Sequence, residues 1–261
     1  MYNFASVYNL NLNKKRMKTL IIIPSRLSAT RLPGKPLLKI NGLSIISHVF
    51  KKAVDANIGE VYVAAENKEI IEDVEKNGGQ AILTNNNHKT GTDRVYEALK
   101  KLGKTDVELV MNLQGDEPLI NIEDIRNLHN QMIKKKFELG TLASNIINKD
   151  LYEKQNVVKV ETKESLENVE FPEAINFIRK SNQANKNIYQ HLGIYCYQTK
   201  TLEKFISFNQ SSNETKHKLE QLRAIDNNIK INVAHAKSSP IGVDTEEDFV
   251  AIKKIMEYKS T

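Results

Sequence analysis

The chain has 261 residues, 40% hydrophobic and 27% charged, with a formal net charge of +6. These proportions suit a folded globular protein large enough for one sizeable domain, or a domain with an added lobe. No basic run or basic-aromatic repeat marks a nucleic-acid face, and no apolar stretch reaches the length of a membrane span. The single Cys196 excludes an intrachain disulfide and any multi-cysteine metal site.

Residues 1–17 are polar and Asn-rich and lack the apolar core of a secretory signal. They read as a flexible extension ahead of a domain spanning 18–261, with Met17 as an alternative start and the cytoplasm as the expected location. Residues 20–23 (Leu-Ile-Ile-Ile) read as a short buried strand that Pro24 ends, since proline cannot donate to a ladder. A polar loop then presents Arg26, Arg31 and Lys35, with Gly34 beside the lysine. Three cations on one loop suit a polyanion, most simply the phosphates of a nucleotide; the alternative is a solvated basic loop.

Ser44 is placed to cap a helix over 45–56, whose apolar residues recur at helical spacing. A strand over 61–64, a helix over 68–77 stopped by Gly78-Gly79, and a strand over 80–83 follow. This alternation predicts an α/β fold with a mostly parallel sheet covered by helices. Gly91-Thr92-Asp93-Arg94 opens the next helix, where Thr92 and Arg94 could meet an anion or a base edge, or Thr90 or Thr92 could simply cap. The apolar strand 109–113 runs into Gln114-Gly115-Asp116-Glu117-Pro118. Ligands in open α/β folds lie beyond the carboxyl ends of strands, and Asp116 stands there.

Asn121 is placed to cap a helix to about 135, and the middle of the chain is less regular. Strands are expected over 157–160, 174–179 and 191–197, then a helix over 202–208 and a helical run through Leu219, Leu222 and Ile225. A strand at 231–234 precedes Val243-Asp244-Thr245, with Thr245 capping a last helix near 246–258. Residues 120–225 read as an inserted lobe. Cys196 lies in a strand and reads as a buried structural thiol.

Asp116 and Asp244 are the carboxylates most suited to chemistry. Together with phosphates they make an oxygen-donor site fit for Mg²⁺, although each alone could cap a turn. His48, His88, His129, His191, His217 and His235 lack the tight spacing of a zinc site. Neither G-x-G-x-x-G nor G-x-x-x-x-G-K-[ST] occurs, which argues against a dinucleotide-binding dehydrogenase and a P-loop ATPase. His191, Glu220 and Gln221 are candidate substrate contacts, each with a packing alternative.

Six blocks carry a resemblance. Residues 22–37 (IIPSRLSATRLPGKPL), Gly91-Thr92-Asp93-Arg94, Gln114-Gly115-Asp116-Glu117-Pro118, His191-Leu192-Gly193-Ile194-Tyr195, Leu219-Glu220-Gln221-Leu222-Arg223 and Gly242-Val243-Asp244-Thr245 resemble the 3-deoxy-manno-octulosonate (Kdo) cytidylyltransferases, or CMP-Kdo synthetases. They occur in that family's order across nearly all of 18–258. The resemblance implies a nucleotide-diphospho-sugar transferase fold, usually dimeric through the inserted lobe. It also implies transfer of CMP from CTP to the anomeric hydroxyl of Kdo, with release of pyrophosphate, for lipopolysaccharide synthesis.

Residue by residue, the resemblance implies that Arg26 and Lys35 hold the CTP triphosphate, with Arg31 in the same loop. Asp116 and Asp244 would bind Mg²⁺. Gln114 would lie near ribose and sugar, and Arg179, His191, Glu220 and Gln221 would contact the sugar. The departures fall mostly on the sugar side: Phe177-Ile178-Arg179 replaces an aromatic-serine-arginine segment, and Ser212-Asn213-Glu214 replaces a Pro-Leu-Glu one. Leu27 stands where an aromatic is usual. Alternative substrates are therefore 8-amino-3,8-dideoxy-octulosonate or a nonulosonic acid, and a UTP-dependent hexose enzyme is more remote. A nucleotide-binding protein without catalysis is a reading of a different class, opposed by the retained carboxylates and cationic loop.

Overall fold

A computed structural model describes residues 17–28, 31–181 and 187–258. Its centre is β1 (Thr19–Ser25), where Leu20 and Ile22 enter the core on one face and Ile21 and Ile23 on the other. A strand buried on both faces needs a continuous apolar run, and this segment has one. Pro24 does not end the strand as expected. It pairs in register with Ala64, whereas pairing toward the other neighbour stops at Ile22. The missing N–H therefore costs no ladder bond, which is where proline is tolerated in a strand.

The cationic loop closes through the Gly34 amide, which donates to the Leu27 carbonyl at 3.2 Å. Gly34 has φ 71°, a conformation that glycine adopts without strain, and it starts the 3-10 turn Lys35–Leu37. A hairpin of β2 (Lys39–Ile40) and β3 (Leu43–Ser44) turns at Asn41-Gly42. Ser44 caps α1 (Ile45–Asp55), accepting from the Ser47 amide at 3.2 Å. Then come β4 (Glu60–Ala65), α2 (Lys68–Lys76), β5 (Ala81–Leu83), α3 (Gly91–Leu102), β6 (Leu109–Asn112) and α4 (Ile122–Lys135). The second half adds β7 (Leu139–Ser144), β8 (Lys159–Thr162), β9 (Ala174–Ile178), β10 (Ile188–Gln198), α5 (Thr199–Ser207), α6 (Ser212–His217), α7 (Leu222–Asp226), β11 (Ile231–His235) and α8 (Glu246–Tyr258).

The main sheet runs β11-β7-β10-β6-β1-β4-β5, with β8 and β9 extending from β10. β6, β1, β4 and β5 are mutually parallel, as are β7 and β11, while β10 lies antiparallel between β6 and β7. The sheet is thus mixed, in an α/β architecture rather than the mostly parallel one expected. Apolar side chains of α1, α2 and α4 cover one face and those of α3, α5 and α7 the other. A third cluster joins Leu32 of the cationic loop, Ile40, Ile45, Val243 and Ile252 of α8. It fixes the loop after β1 and the segment before α8 to one another.

The helical run expected through Leu219 is interrupted. Lys218 takes φ 53° and ends α6, and Leu219 lies in the turn before α7. Lys159 is fully buried in β8, its Nζ donating to the carbonyls of Lys154, Val157 and Arg179, each at 2.8 Å. Burial lowers its pKa to about 8. Of the expected N-terminal extension, residues 1–16 lie outside the described residues, and Met17 packs on the core. No helix among the described residues is long and apolar enough to cross a membrane.

Candidate active site

The parallel strands β1, β5 and β6 end on one side of the sheet, and the loops after them enclose a cavity of about 340 Å³. Arg26, Arg31 and Lys35 reach it from the loop after β1. Gln114 and Asp116 reach it from the loop after β6, Arg94 from α3, and Asp244 from the segment before α8. Seven of the residues singled out in the sequence are thus brought together.

Lys35 lies between the two carboxylates. Its Nζ is 2.6 Å from Asp116 Oδ2 and 3.6 Å from Asp244 Oδ1, and its side chain is only 13% exposed. Arg31 Nη2 meets Asp244 Oδ2 at 3.1 Å. Asp116 and Asp244 therefore converge on one cation, so neither is merely a remote cap. Among the described residues no group of three or more His, Cys, Asp or Glu side chains forms a metal cluster. The donor set is two carboxylates beside a cavity lined by cations. That set fits a hard divalent ion whose remaining ligands are phosphate oxygens and water, the usual manner of Mg²⁺.

A Cβ on Gly115 would stand 2.9 Å from Ile46 Cδ1 and 3.1 Å from the Pro24 carbonyl, so a side chain there would make the Ile46 methyl and the end of β1 give way. Ser25 Oγ, at the cavity wall, is buried without a partner, which leaves it available to a bound polar group.

The sequence did not single out Glu117, Lys89 or His88. Glu117 Oε2 is sealed from water and unpartnered. Burial, then the charges of Asp116 and Asp244, raise its pKa to about 8, so it holds a proton at neutral pH. Its place in the Asp-Glu-Pro run was the available signal. Lys89 adds a further cation from the β5–α3 loop, and His88 beside it pairs with Glu97. Burial opposes the Glu97 charge, yet hydrogen bonds from Lys101, His88 and the Asn85 amide hold its pKa down at about 2.

Other expected contacts lie apart from the cavity lining. Thr90, not Thr92, caps α3, in a reciprocal box with Asp93. Thr92 is buried, accepts from Asn112 Nδ2 at 3.3 Å, and with Thr90 faces the Glu220 carboxyl. Burial raises the Glu220 pKa, and its Oε1 has no partner. Gln221 is buried beside it. Arg94, although it lines the cavity, directs its guanidinium to Glu66, Thr84 Oγ1 and the Asn85 carbonyl. Arg179 donates to the carbonyls of His217, Lys218 and Gln155 at 2.8, 2.7 and 3.1 Å, which docks the end of α6 on β9.

His191 meets Thr141 Oγ1 at 2.9 Å through Nε2, and its ring stands edge-on to Phe177 at 5.0 Å. Burial lowers its pKa to about 3, so the ring is neutral. The single Thr141 hydroxyl proton goes to the Ile194 carbonyl at 2.7 Å, so Nε2 carries the ring proton and Nδ1 is an acceptor.

Fold and site together define a nucleotidyltransferase: residues 20–231 match the family model described as Cytidylyltransferase. The chain is 38% identical over 240 residues to the 3-deoxy-manno-octulosonate cytidylyltransferase of Afipia carboxidovorans, covering 91% of this chain and 96% of that protein. It is equally 38% identical, over 251 residues, to that of Thermodesulfovibrio yellowstonii, covering 92% and 98%. A solved CMP:2-keto-3-deoxy-manno-octonic acid synthetase complexed with CTP superposes with a TM-score of 0.83 at 33% identity, over 93% of this chain and 99% of that one. An apo UDP-glucose pyrophosphorylase, at TM-score 0.72 and 13% identity, shares the fold alone. The chain belongs to the 3-deoxy-manno-octulosonate cytidylyltransferase family.

Proposed function

We infer that this protein transfers CMP from CTP to Kdo and releases pyrophosphate. Family membership supports the reaction. The observation that carries the site is the convergence of Asp116 and Asp244 on Lys35 at the carboxyl ends of the parallel strands.

In the proposed mechanism the anomeric hydroxyl of Kdo attacks the α-phosphorus of CTP. A P–O bond forms to the sugar, the P–O bond to pyrophosphate breaks, and the hydroxyl proton passes to the departing pyrophosphate or to water. Asp116 and Asp244 would hold Mg²⁺, which when bound neutralises phosphate charge and polarises the α-phosphate. Arg26, Arg31 and Lys35 bind the triphosphate and offset charge on the leaving pyrophosphate. Arg26 and Arg31 suit this through the planar guanidinium fork, Lys35 as a movable point charge. No covalent nucleophile is required, and burial pushes the Cys196 thiol up to about 12, which keeps it inert. His191 through Nδ1 suits a sugar hydroxyl as its donor partner. Glu220, Gln221 and Gln114 complete the sugar side, whereas Arg179 serves it indirectly by holding the end of α6.

Residues 120–225 are the proposed sugar-binding and dimerisation lobe, and the protein is proposed to be a homodimer. Ile147 at 88% exposure and Ile175 at 49% offer apolar contact there. Light scattering that gives the monomer mass at micromolar concentration would refute the dimer.

The reaction is tested by pyrophosphate release from CTP and Mg²⁺, with Kdo run beside its 8-amino analogue and a nonulosonic acid. Release with Kdo as the preferred acceptor is expected. Preference for another acid sugar would replace the substrate, and release with none would overturn the reaction.

A further inference from the structure

The segment that carries Asp244, residues 236–245, leaves the end of β11 and enters α8. Its two ends are held by different devices. Near α8, the Val243 amide donates to the Asp116 carbonyl at 2.9 Å, and Asp248 Oδ2 accepts the amides of Asp244 and Thr245 at 3.2 and 3.0 Å. Near β11, one buried side chain does most of the holding. Asp124, in the first turn of α4 and 1% exposed, accepts the Lys237 amide on Oδ1 at 2.8 Å. Its Oδ2 accepts the Ser238 amide at 3.2 Å and the Ser238 hydroxyl at 2.6 Å.

Helix capping does not account for this carboxylate. Asn121 already caps α4, accepting the Glu123 amide at 2.9 Å. All three Asp124 bonds go instead to a segment more than a hundred residues away. A carboxylate that accepts two successive amides fixes the direction in which the chain leaves the strand, and charge-assisted bonds are about twice as strong as neutral ones. Asn127, one helical turn on, adds a bond from Nδ2 to the His235 carbonyl at 2.9 Å, and the hydroxyls of Ser144 and Ser239 meet at 2.6 Å. The segment is thus aimed from α4 before it crosses to Asp116.

We propose that Asp124 is a positioning residue for nucleotidyl transfer: it sets the path of residues 236–245 so that the Asp244 carboxylate stands opposite Asp116. The proposal rests on the reading of Asp116 and Asp244 as ligands of one divalent ion. Groups that orient metal ligands without touching the metal commonly change its affinity by about 10–100-fold when altered.

Asp124→Asn keeps the volume and one acceptor but loses the second acceptor, and Ser238→Ala deletes only the 2.6 Å bond. Both are compared with wild type and with Asp244→Ala. Mn²⁺ binding is followed by electron paramagnetic resonance with CTP present, and rates are measured against Mg²⁺ and CTP separately. Asp124→Asn is expected to weaken Mn²⁺ binding about tenfold, with KM for CTP at saturating Mg²⁺ within about twofold of wild type. Ser238→Ala is expected to shift Mn²⁺ binding in the same direction by less. If Asp244→Ala weakens Mn²⁺ binding while both other variants bind as wild type, the positioning role is wrong and the metal reading stands. If Asp244→Ala also binds as wild type, the metal reading itself falls, and the positioning role with it.

Discussion

The amide of Val243 donates to the carbonyl of Asp116 at 2.9 Å, and this one bond joins the chain segments that bear the two carboxylates proposed for the chemistry. The side chains of Asp116 and Asp244 then share Lys35, so the pair is held by backbone on one side and by charge on the other. Asp116→Asn and Asp244→Asn leave the backbone bond intact and remove charge only. Each is expected to lower turnover by about 10²–10³-fold, the scale of losing one preorganised electrostatic contact. Pyrophosphate release at saturating CTP measures it, with circular dichroism confirming the fold. Wild-type turnover in either variant would remove that residue from the chemistry.

Lys35→Met tests the other member of the cluster. Without the ammonium, Asp116 and Asp244 face each other with Arg31 as the ion-pair partner left to Asp244. The pair is partly solvated, so a destabilisation of about 1–2 kcal/mol is expected, between surface and buried ion pairs. Mg²⁺ without CTP should raise the melting temperature of this variant more than that of wild type, because a bound ion replaces the missing charge. KM for CTP should rise about tenfold or more. An equal Mg²⁺ response in both proteins would mean that the carboxylates do not share an ion.

The parts of this fold read correctly from sequence are those set by local chemistry. β1 and β6 are apolar runs, Ser44, Asn121 and Thr245 stand at helix starts, and the cations after β1 occupy a strand end where ligands bind. What escaped depends on partners distant in the chain. β10 inserts antiparallel between β6 and β7, which no local period encodes. Pro24 stays in its strand only because the neighbouring ladder has already stopped. Arg94 and Arg179 look like free cations in sequence, but Glu66 and a set of carbonyls claim their donors. The strand expected over 157–160 gives no local sign that Lys159 is buried among three carbonyls.

His191 gives the protein an acid-sensitive element. Its pKa is about 3 in the folded state against 6.5 as the ordinary value. Between those values the unfolded chain binds more protons, so stability is complete above pH 6.5 and is lost as pH falls toward 3. The slope from this group approaches about 1.4 kcal/mol per pH unit, or about 2 kcal/mol by pH 5. Urea unfolding from pH 7.5 to 4.5 should show a shallower acid decline in His191→Gln than in wild type. Parallel profiles would mean that the ring takes up its proton as readily in the native state as in the unfolded chain.

Arg223 and Glu214 form a buried bidentate pair, with Nε to Oε2 at 2.8 Å and Nη2 to Oε1 at 2.6 Å, both residues 3% exposed or less. The guanidinium also lies 4.6 Å over the Phe205 ring and 3.9 Å from Asp93 at the start of α3. The pair therefore fastens α6 and α7, with Glu220 and Gln221 between them, to α3, which borders the cavity. Arg223→Met leaves Glu214 buried and uncompensated, so a loss of about 3–5 kcal/mol is expected. Arg223→Lys keeps the charge but not the fork or the ring stacking and should cost less. Adding Glu214→Gln to Arg223→Met should recover part of the loss, since the stranded charge is gone. If the pair also orients the Glu220 turn, Arg223→Lys raises KM for Kdo while leaving KM for CTP unchanged. Additive stability losses in the double variant would show that the two groups act independently, despite their short contacts.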